Sequence, residues 1–409
     1  MSRLLLVLLT HLSIAALAAD VTLTLDQIPA RVIQHHPDLT AARLQIAEAR
    51  ARTLGAGRLQ NPTASIDWRS ESRLSPSEGA FSLEQSFPLT RRLSLEKMLT
   101  TQLITSAELE VKNAERKAIA AAQEIAIQIL AIRSQRSLRQ QQVALADQLA
   151  DFANARAKAG ELSSLDASQT QLDAKRLQFE VKRIDAEAIR LIGSLKPMLK
   201  VAPNQSLEIK GELPKPSQVS EKSGTQSRSD YALAQHRITT AETNLEIAKA
   251  RRWQDPSVGI VGGPEQQTTA DAGRQRTGFV GLRFSIPLPI WNRNQGELAE
   301  QNVQAERARL EAENLASQIQ SETETARKEM QAFAALAQET RSELLPMAKQ
   351  QVSQLQAAYE KGQSDLATLL RASDQHLQLE SAALDAERDF HLARIRLEAA
   401  TGIHTPFTP

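Results

Sequence analysis

Two periodicities share this chain, and each occurs twice. Apolar and polar residues alternate over 63–69: Ala64, Ile66 and Trp68 fall on one side, Ser65, Asp67 and Arg69 on the other. This is the period-two signature of a strand. The alternation resumes over 80–89, after a polar loop expected at 70–79. Here Phe81, Leu83, Phe87 and Leu89 oppose Ser82, Glu84 and Ser86, with Gln85 interrupting the apolar row and Pro88 ending the strand. Two further strands are predicted at 257–262 and 277–287, joined by a Gly- and Gln-bearing loop at 263–276. In the second of these Val280, Leu282, Phe284 and Ile286 share a face.

Between the strands the period changes. From Leu93 to about Ala157 there is no Pro and no Gly, which predicts a helix roughly 95 Å long at 1.5 Å per residue. A helix of that length must lie against other helices. Gly160 breaks it, and a second helix is predicted over 165–195, giving a helical hairpin with its tip near 158–164. The same order returns later: a helix over 229–254, the second strand pair, a long helix over 296–360 with a kink expected at Pro346, a break at Gly362, and a last helix over 366–401 stopped by Gly402. The chain begins with a helix over 25–59, interrupted at Pro37, with Asp38 as its expected N-cap. Residues 197–227, rich in Pro, Ser and Lys, read as a connector, either a flexible linker or a small ordered collar.

The two halves repeat. Asn61-Pro62 returns as Asp255-Pro256, Ser86-Phe87-Pro88-Leu89 as Ser285-Ile286-Pro287-Leu288, and Gly160 as Gly362, at offsets of 194, 199 and 202 residues. The fold class expected is mostly α with a β portion, in an internally duplicated chain. The expected divisions are 1–18, 19–196, 197–227, 228–402 and 403–409.

Composition sharpens this picture. Aromatic residues are only 3% of the 409, and mean hydropathy is −0.35, which argues against a large compact core and for coiled-coil packing. Arg3 followed by the mostly apolar stretch Leu4–Leu17 and Ala16-Leu17-Ala18 reads as a cleaved export signal; a retained anchor is disfavoured by its length and by the early polar Thr10-His11. Among charged residues the signal carries only Arg3, so its loss turns a net charge of +1 into 48 basic and 48 acidic residues. No polyanionic partner or nucleic acid is implied. There is no cysteine, hence no disulfide and no lipidated N-terminal Cys.

Four amphipathic strands cannot close a barrel alone, and an open sheet leaves hydrogen-bonding edges. Two arrangements satisfy the pattern. A soluble β-domain would bury the apolar faces inside. Alternatively, copies of the chain would pool their strands into one closed barrel, apolar side to lipid and Ser, Asp and Arg side to the lumen. In that case Trp68, Phe81, Phe87, Phe279 and Trp291 are candidate interfacial aromatics.

The whole order of elements resembles the TolC family of outer-membrane efflux factors, across essentially the entire chain after the signal. Phe284-Ser-Ile-Pro-Leu-Pro-Ile-Trp-Asn-Arg-Asn-Gln-Gly296 is similar to the segment entering the second long helix in the cobalt–zinc–cadmium, heavy-metal branch. The resemblance implies a homotrimer with a twelve-stranded outer-membrane barrel and a periplasmic tunnel of long helices. It also implies a periplasmic membrane-fusion adaptor and an inner-membrane RND-type pump as partners. The chain itself would be a passive conduit, for divalent heavy-metal cations in that branch. The residues beside the two breaks, Ala159, Gly160, Glu161, Lys361, Gly362 and Gln363, would contact the adaptor. Asp166, six residues after Gly160, would stand at the periplasmic gate. In the second copy Tyr359 and Gly362 match the family pattern, but Thr368 occupies the acid's place and Ser364 stands where a basic partner can occur; Asp365 is the possible substitute. Asp166 and Asp365 read equally well as helix N-caps. Two other functions stay open: a periplasmic coiled-coil scaffold or adaptor, although adaptors usually carry one helical hairpin and no whole-chain duplication, and a conduit for drug or protein export, which shares this architecture.

No catalytic or cofactor signature competes with this. The seven His are scattered or, at His35-His36, point about 100° apart on a helix; there is no HExxH, and the five Met form no soft-metal ladder. Neither a metal site, a cofactor nor an enzymatic activity is expected.

Overall fold

The computed structural model describes residues 20–70, 76–216, 228–269, 273–403 and 407. The expected export signal lies outside these residues, as do 217–227 of the connector and most of the tail beyond 402.

The chain opens with β1 (Val21–Leu23), a 3-10 turn (Leu25–Gln27), α1 (Ile28–His35) and α2 (Pro37–Thr53). Then come β2 (Thr63–Ser70), β3 (Pro76–Ser86), α3 (Arg92–Lys158) and α4 (Ser164–Met198). After β4 (Leu207–Ile209) the order repeats as α5 (Ser229–Ala250), β5 (Ser257–Thr269), β6 (Gly273–Ser285) and α6 (Gln295–Glu339). A π-helical turn (Thr340–Leu344) leads to α7 (Leu345–Glu360), and α8 (Leu366–Thr401) closes the chain. At 67 residues α3 is about 100 Å long, and no helix among the described residues is long and apolar enough to cross a membrane.

The long helices start within a residue or two of the expected positions, and α3 and α8 also end there, but α4 runs three residues further, to Met198, and α5 stops four residues earlier, at Ala250. Several local expectations are corrected. The opening helix ends at Thr53, not Leu59, and its N-cap is His36, whose Nδ1 accepts from the Asp38 N–H at 3.2 Å; Asp38 lies in the first turn instead. In the polar loops expected at 70–79 and 263–276 the described residues are strand, because β2 runs to Ser70, β3 begins at Pro76, β5 runs to Thr269 and β6 begins at Gly273. Polar sequence conceals these strands, since a ladder needs only backbone groups. Pro346 makes no simple kink. It lacks the N–H for an α-helical bond and its ring crowds the carbonyl a turn back, and the chain answers with the π turn just before it.

Halfway along the helices the connector wraps the bundle as an ordered collar over its described part. β4 pairs in parallel with β1, Val21 opposite Leu207 and Leu23 opposite Ile209. Arg133 on α3 donates to the carbonyls of Ile209 and Gly211. Beneath the collar lies the main core. Ile28 and Val32 of α1, Ile127 and Leu130 of α3, Leu195 of α4, and Leu199 and Ile209 are all essentially inaccessible. This core joins the end of α4 to the start of α1.

The matching place in the second half, where α8 ends and α5 begins, is built differently. Arg228 donates to Asp230 at 2.6 Å and to Glu322 of α6 at 2.8 Å, and Arg116 of α3 reaches Asp230 at 3.2 Å. The same guanidiniums donate to the carbonyls of Ala399 and Ala400, groups that a helix C-terminus leaves without intrahelical partners. Burial depresses the Arg116 guanidinium, while Arg228 holds the Asp230 carboxyl below its usual range despite desolvation. Next to this junction His391 is fully buried and its Nε2–H donates to the Pro214 carbonyl at 2.7 Å. Phe407 closes the collar: its N–H donates to Asp26 at 2.9 Å and its ring lies 4.4 Å from the Arg394 guanidinium.

Candidate functional site: an uncovered sheet and two helical tips

β2, β3, β5 and β6 form one antiparallel sheet in that order. Residues directly opposite on paired strands share a face, so the register assembles rows across the sheet. One row is Ile66–Phe81–Gly262–Val280, the next Ala64–Leu83–Ile260–Leu282, and Val258 pairs with Phe284. The other face carries Ser65–Ser82–Val261–Gly281 and Thr63–Glu84–Gly259–Arg283, and the Ser257 hydroxyl donates to Glu84. The alternation read in the sequence is therefore a two-sided sheet.

Its apolar side is uncovered. Ile66 is 76% exposed, Val280 85% and Leu282 69%, and no helix packs substantially on the sheet. The alternative of a soluble β-domain with an internal core is not what this chain forms. β2 and β6 each have one unpaired edge. A single such sheet in water violates both rules of strand burial, the covered apolar face and the paired edge.

At the other end of the molecule the two tips share one hydrogen-bond pattern. After α3 the Gly160 N–H reaches the Ala157 carbonyl and the Glu161 N–H the Arg156 carbonyl; after α7 Gly362 reaches Tyr359 and Gln363 reaches Ala358. This is the Schellman motif, and it puts Gly160 at φ 77° and Gly362 at φ 73°, where a Cβ is strained. Three residues after each Gly comes the next N-cap: Ser163 accepts from the Leu165 N–H at 3.1 Å, and Asp365 accepts from the Thr368 N–H at 2.7 Å. Asp365 is thus an N-cap, and that hydrogen bond holds its carboxyl below the usual range. Asp166 is not: it sits exposed in the first turn behind Ser163. Each tip carries one first-turn or capping acid at a shifted position. Ala159 and Lys361 are the C-caps, Ser164 begins α4, and Ser364 and Tyr359 flank the second turn partly exposed. Within this one chain the two tips are not brought together.

A third feature lies where strands meet helices, and sequence reasoning missed it. Each of the four junctions carries an exposed arginine: Arg58 between α2 and β2, Arg91 between β3 and α3, Arg252 between α5 and β5, and Arg293 between β6 and α6. Arg58 and Arg252 recur at the 194-residue offset already visible in Pro62 and Pro256. Among the described residues no cluster of His, Asp and Glu is arranged to hold a metal ion.

An open amphipathic sheet carried on paired helices of this length is a fold shared with solved structures of outer-membrane channels. A family model described as outer membrane efflux protein matches residues 224–403. Among solved structures, the chain is similar to CusC, with TM-score 0.74 at 16% identity over 93% of this chain and 92% of that one. It is similar to VceC of Vibrio cholerae, with TM-score 0.71 at 18% identity over 92% and 96%. It is also similar to the MtrE channel of Neisseria gonorrhoeae in its open state, with TM-score 0.69 at 16% identity over 93% and 89%. No curated protein matches the chain by sequence. The family model is of an outer membrane efflux protein, CusC is described as forming a transmembrane channel, and MtrE is described as an outer membrane channel.

Proposed function

We propose that this chain is one subunit of a homotrimeric outer-membrane efflux channel. Three sheets join edge β2 to edge β6 into a twelve-stranded barrel, and the hairpins form a tunnel in the periplasm. The observation that carries this reading is the uncovered apolar face with two open edges, which only other copies in a bilayer can satisfy together. Thirteen residues in each of β5 and β6 span about 43 Å, enough to cross the hydrocarbon at the usual tilt.

The channel is passive: an inner-membrane pump supplies the energy, and a periplasmic adaptor meets the tips at Ala159, Gly160, Glu161, Lys361, Gly362 and Gln363. Asp166 and Asp365 give the trimer's periplasmic mouth two rings of carboxylates, with Tyr359, Ser364 and Thr368 beside them. Such rings favour cations at a constriction. Together with the resemblance of residues 284–296 to the heavy-metal branch, they make divalent heavy-metal ions the proposed cargo.

The test is extraction and mass. The full chain, expressed with its own leader, is expected in the outer-membrane fraction, released only by detergent, at the mass of three chains. A water-soluble monomer overturns the proposal. A deletion strain challenged with zinc, cobalt, cadmium, copper and silver tests the cargo, and unchanged tolerance to all five removes the metal assignment while leaving the channel.

A further inference from the structure

The four junction arginines have no internal explanation. Among the described residues, the side chains of Arg58, Arg91, Arg252 and Arg293 make no ion pair and no hydrogen bond. The carboxylates of these junctions are already taken: Arg92 is paired with Glu96 and Asp255, and Arg251 with Glu297 and Glu96. Helix dipoles do not account for them either. Arg58 and Arg252 follow helix C-termini, where a cation is favoured, but Arg91 and Arg293 precede the N-termini of α3 and α6, where it is not.

Each arginine also has an exposed large apolar neighbour within two residues. These are Leu59 beside Arg58, Leu89 near Arg91, Trp253 beside Arg252 and Trp291, 87% exposed, near Arg293. Cation and apolar side chain together match the boundary where acyl chains give way to phosphate headgroups. Aromatic rings settle there, and the planar guanidinium binds phosphate by two parallel hydrogen bonds. A soluble anion would explain the arginines but not the apolar side chains beside them.

We propose that these four junctions form a girdle that binds anionic phospholipid headgroups at the periplasmic rim of the barrel, with Arg58, Arg91, Arg252 and Arg293 on the phosphates and Trp253 and Trp291 at the headgroup level. The inference rests on the outer-membrane reading above. In the trimer the girdle has twelve guanidiniums. Its lipid is phosphatidylglycerol or another anionic phospholipid, because four unpaired cations per chain gain more from a net negative headgroup than from a zwitterionic one.

The experiment reconstitutes the full-length protein in phosphatidylcholine bilayers with trace spin-labelled phosphatidylglycerol or spin-labelled phosphatidylcholine and compares the protein-immobilised fractions. The wild type is expected to prefer phosphatidylglycerol about fivefold or more, a preference that falls with salt. In R58Q/R91Q/R252Q/R293Q the preference is expected to drop to about one. The paired variants R58Q/R252Q and R91Q/R293Q each lose part of it and guard against misfolding of the quadruple variant. Inorganic phosphate in the buffer is expected to leave it in place; displacement by phosphate would identify a free-anion site and overturn the lipid assignment. A wild-type preference of one, or a preference unchanged in all three variants, also overturns it while the protein still inserts. A wild type that does not enter bilayers at all removes the channel reading instead.

Discussion

At mid-height the chain makes the same join twice with opposite chemistry. Where α4 ends and α1 begins, Ile28, Val32, Leu195 and Leu199 close an apolar core under the collar. Where α8 ends and α5 begins, Arg116, Arg228, Asp230 and Glu322 do the closing, and both guanidiniums also donate to terminal carbonyls of α8. Position in a duplicated fold therefore fixes that a join must exist, not what it is made of. The apolar join is non-directional and holds no charge for pH to titrate or dilute salt to screen. The ionic join depends on every partner, because removing one leaves an uncompensated charge out of water.

The largest expected effect comes from breaking the ionic join. Arg228→Ala is expected to cost about 3 kcal/mol, since it leaves Asp230 with Arg116 as its one cation and removes the ion pair of Glu322. Thermal unfolding of the detergent-solubilised protein checks it, and the same measurement on R116M/R228M/D230L/E322L, which removes all four charges of the join, is expected to recover most of the loss. If Arg228→Ala is neutral, the ionic join is decoration. Next comes the apolar join: Leu195→Ala is expected to cost about 3 kcal/mol by leaving a cavity, and the loss should be the same at low and high salt. A salt-dependent loss would erase the distinction between the two joins.

The third effect is acid sensitivity on the α8 side. Burial holds the His391 imidazole down to about 4, against an ordinary value of about 6.5. Arg394 is the charged group acting on it, and the Pro214 carbonyl its acceptor. Between these values the unfolded chain takes up a proton that the folded chain refuses. The contribution is complete above about pH 6.5 and shrinks as pH falls towards 4, by up to about 3 kcal/mol. Unfolding midpoints measured from pH 7 to pH 4 should show this slope, and His391→Gln should flatten it.

Much of this architecture was legible because it follows from long runs. A helix of 67 residues without Pro or Gly needs no tertiary context to be recognised, and the glycines at the tips announce the left-handed turns they occupy. Strand pairs with an alternating apolar face were equally plain at Ile66, Phe81 and Leu282. What escaped was whatever tertiary contact decides. Residues 264–269 carry no alternation, yet they are strand because β6 lies beside them. His36 displaced Asp38 as a cap because its ring folds back on its own helix. Arg116 and Arg228 lie 112 residues apart, and no local spacing announces that they meet. The junction arginines were the avoidable omission: Arg58 and Arg252 repeat at the same interval as the prolines that follow them.

The π turn at Thr340–Leu344 has a consequence for reading relatives of this chain. Such a turn accommodates one residue more than an α-helix does in the same place, so every side chain after it is rotated by about 100° about the helix axis. An alignment that counts straight down from Gly296 therefore assigns inward and outward flanks wrongly from Leu345 to Tyr359. It also means that gaining or losing a single codon there re-aims the whole lower arm while leaving its tip glycine, its length and its partner helix almost untouched.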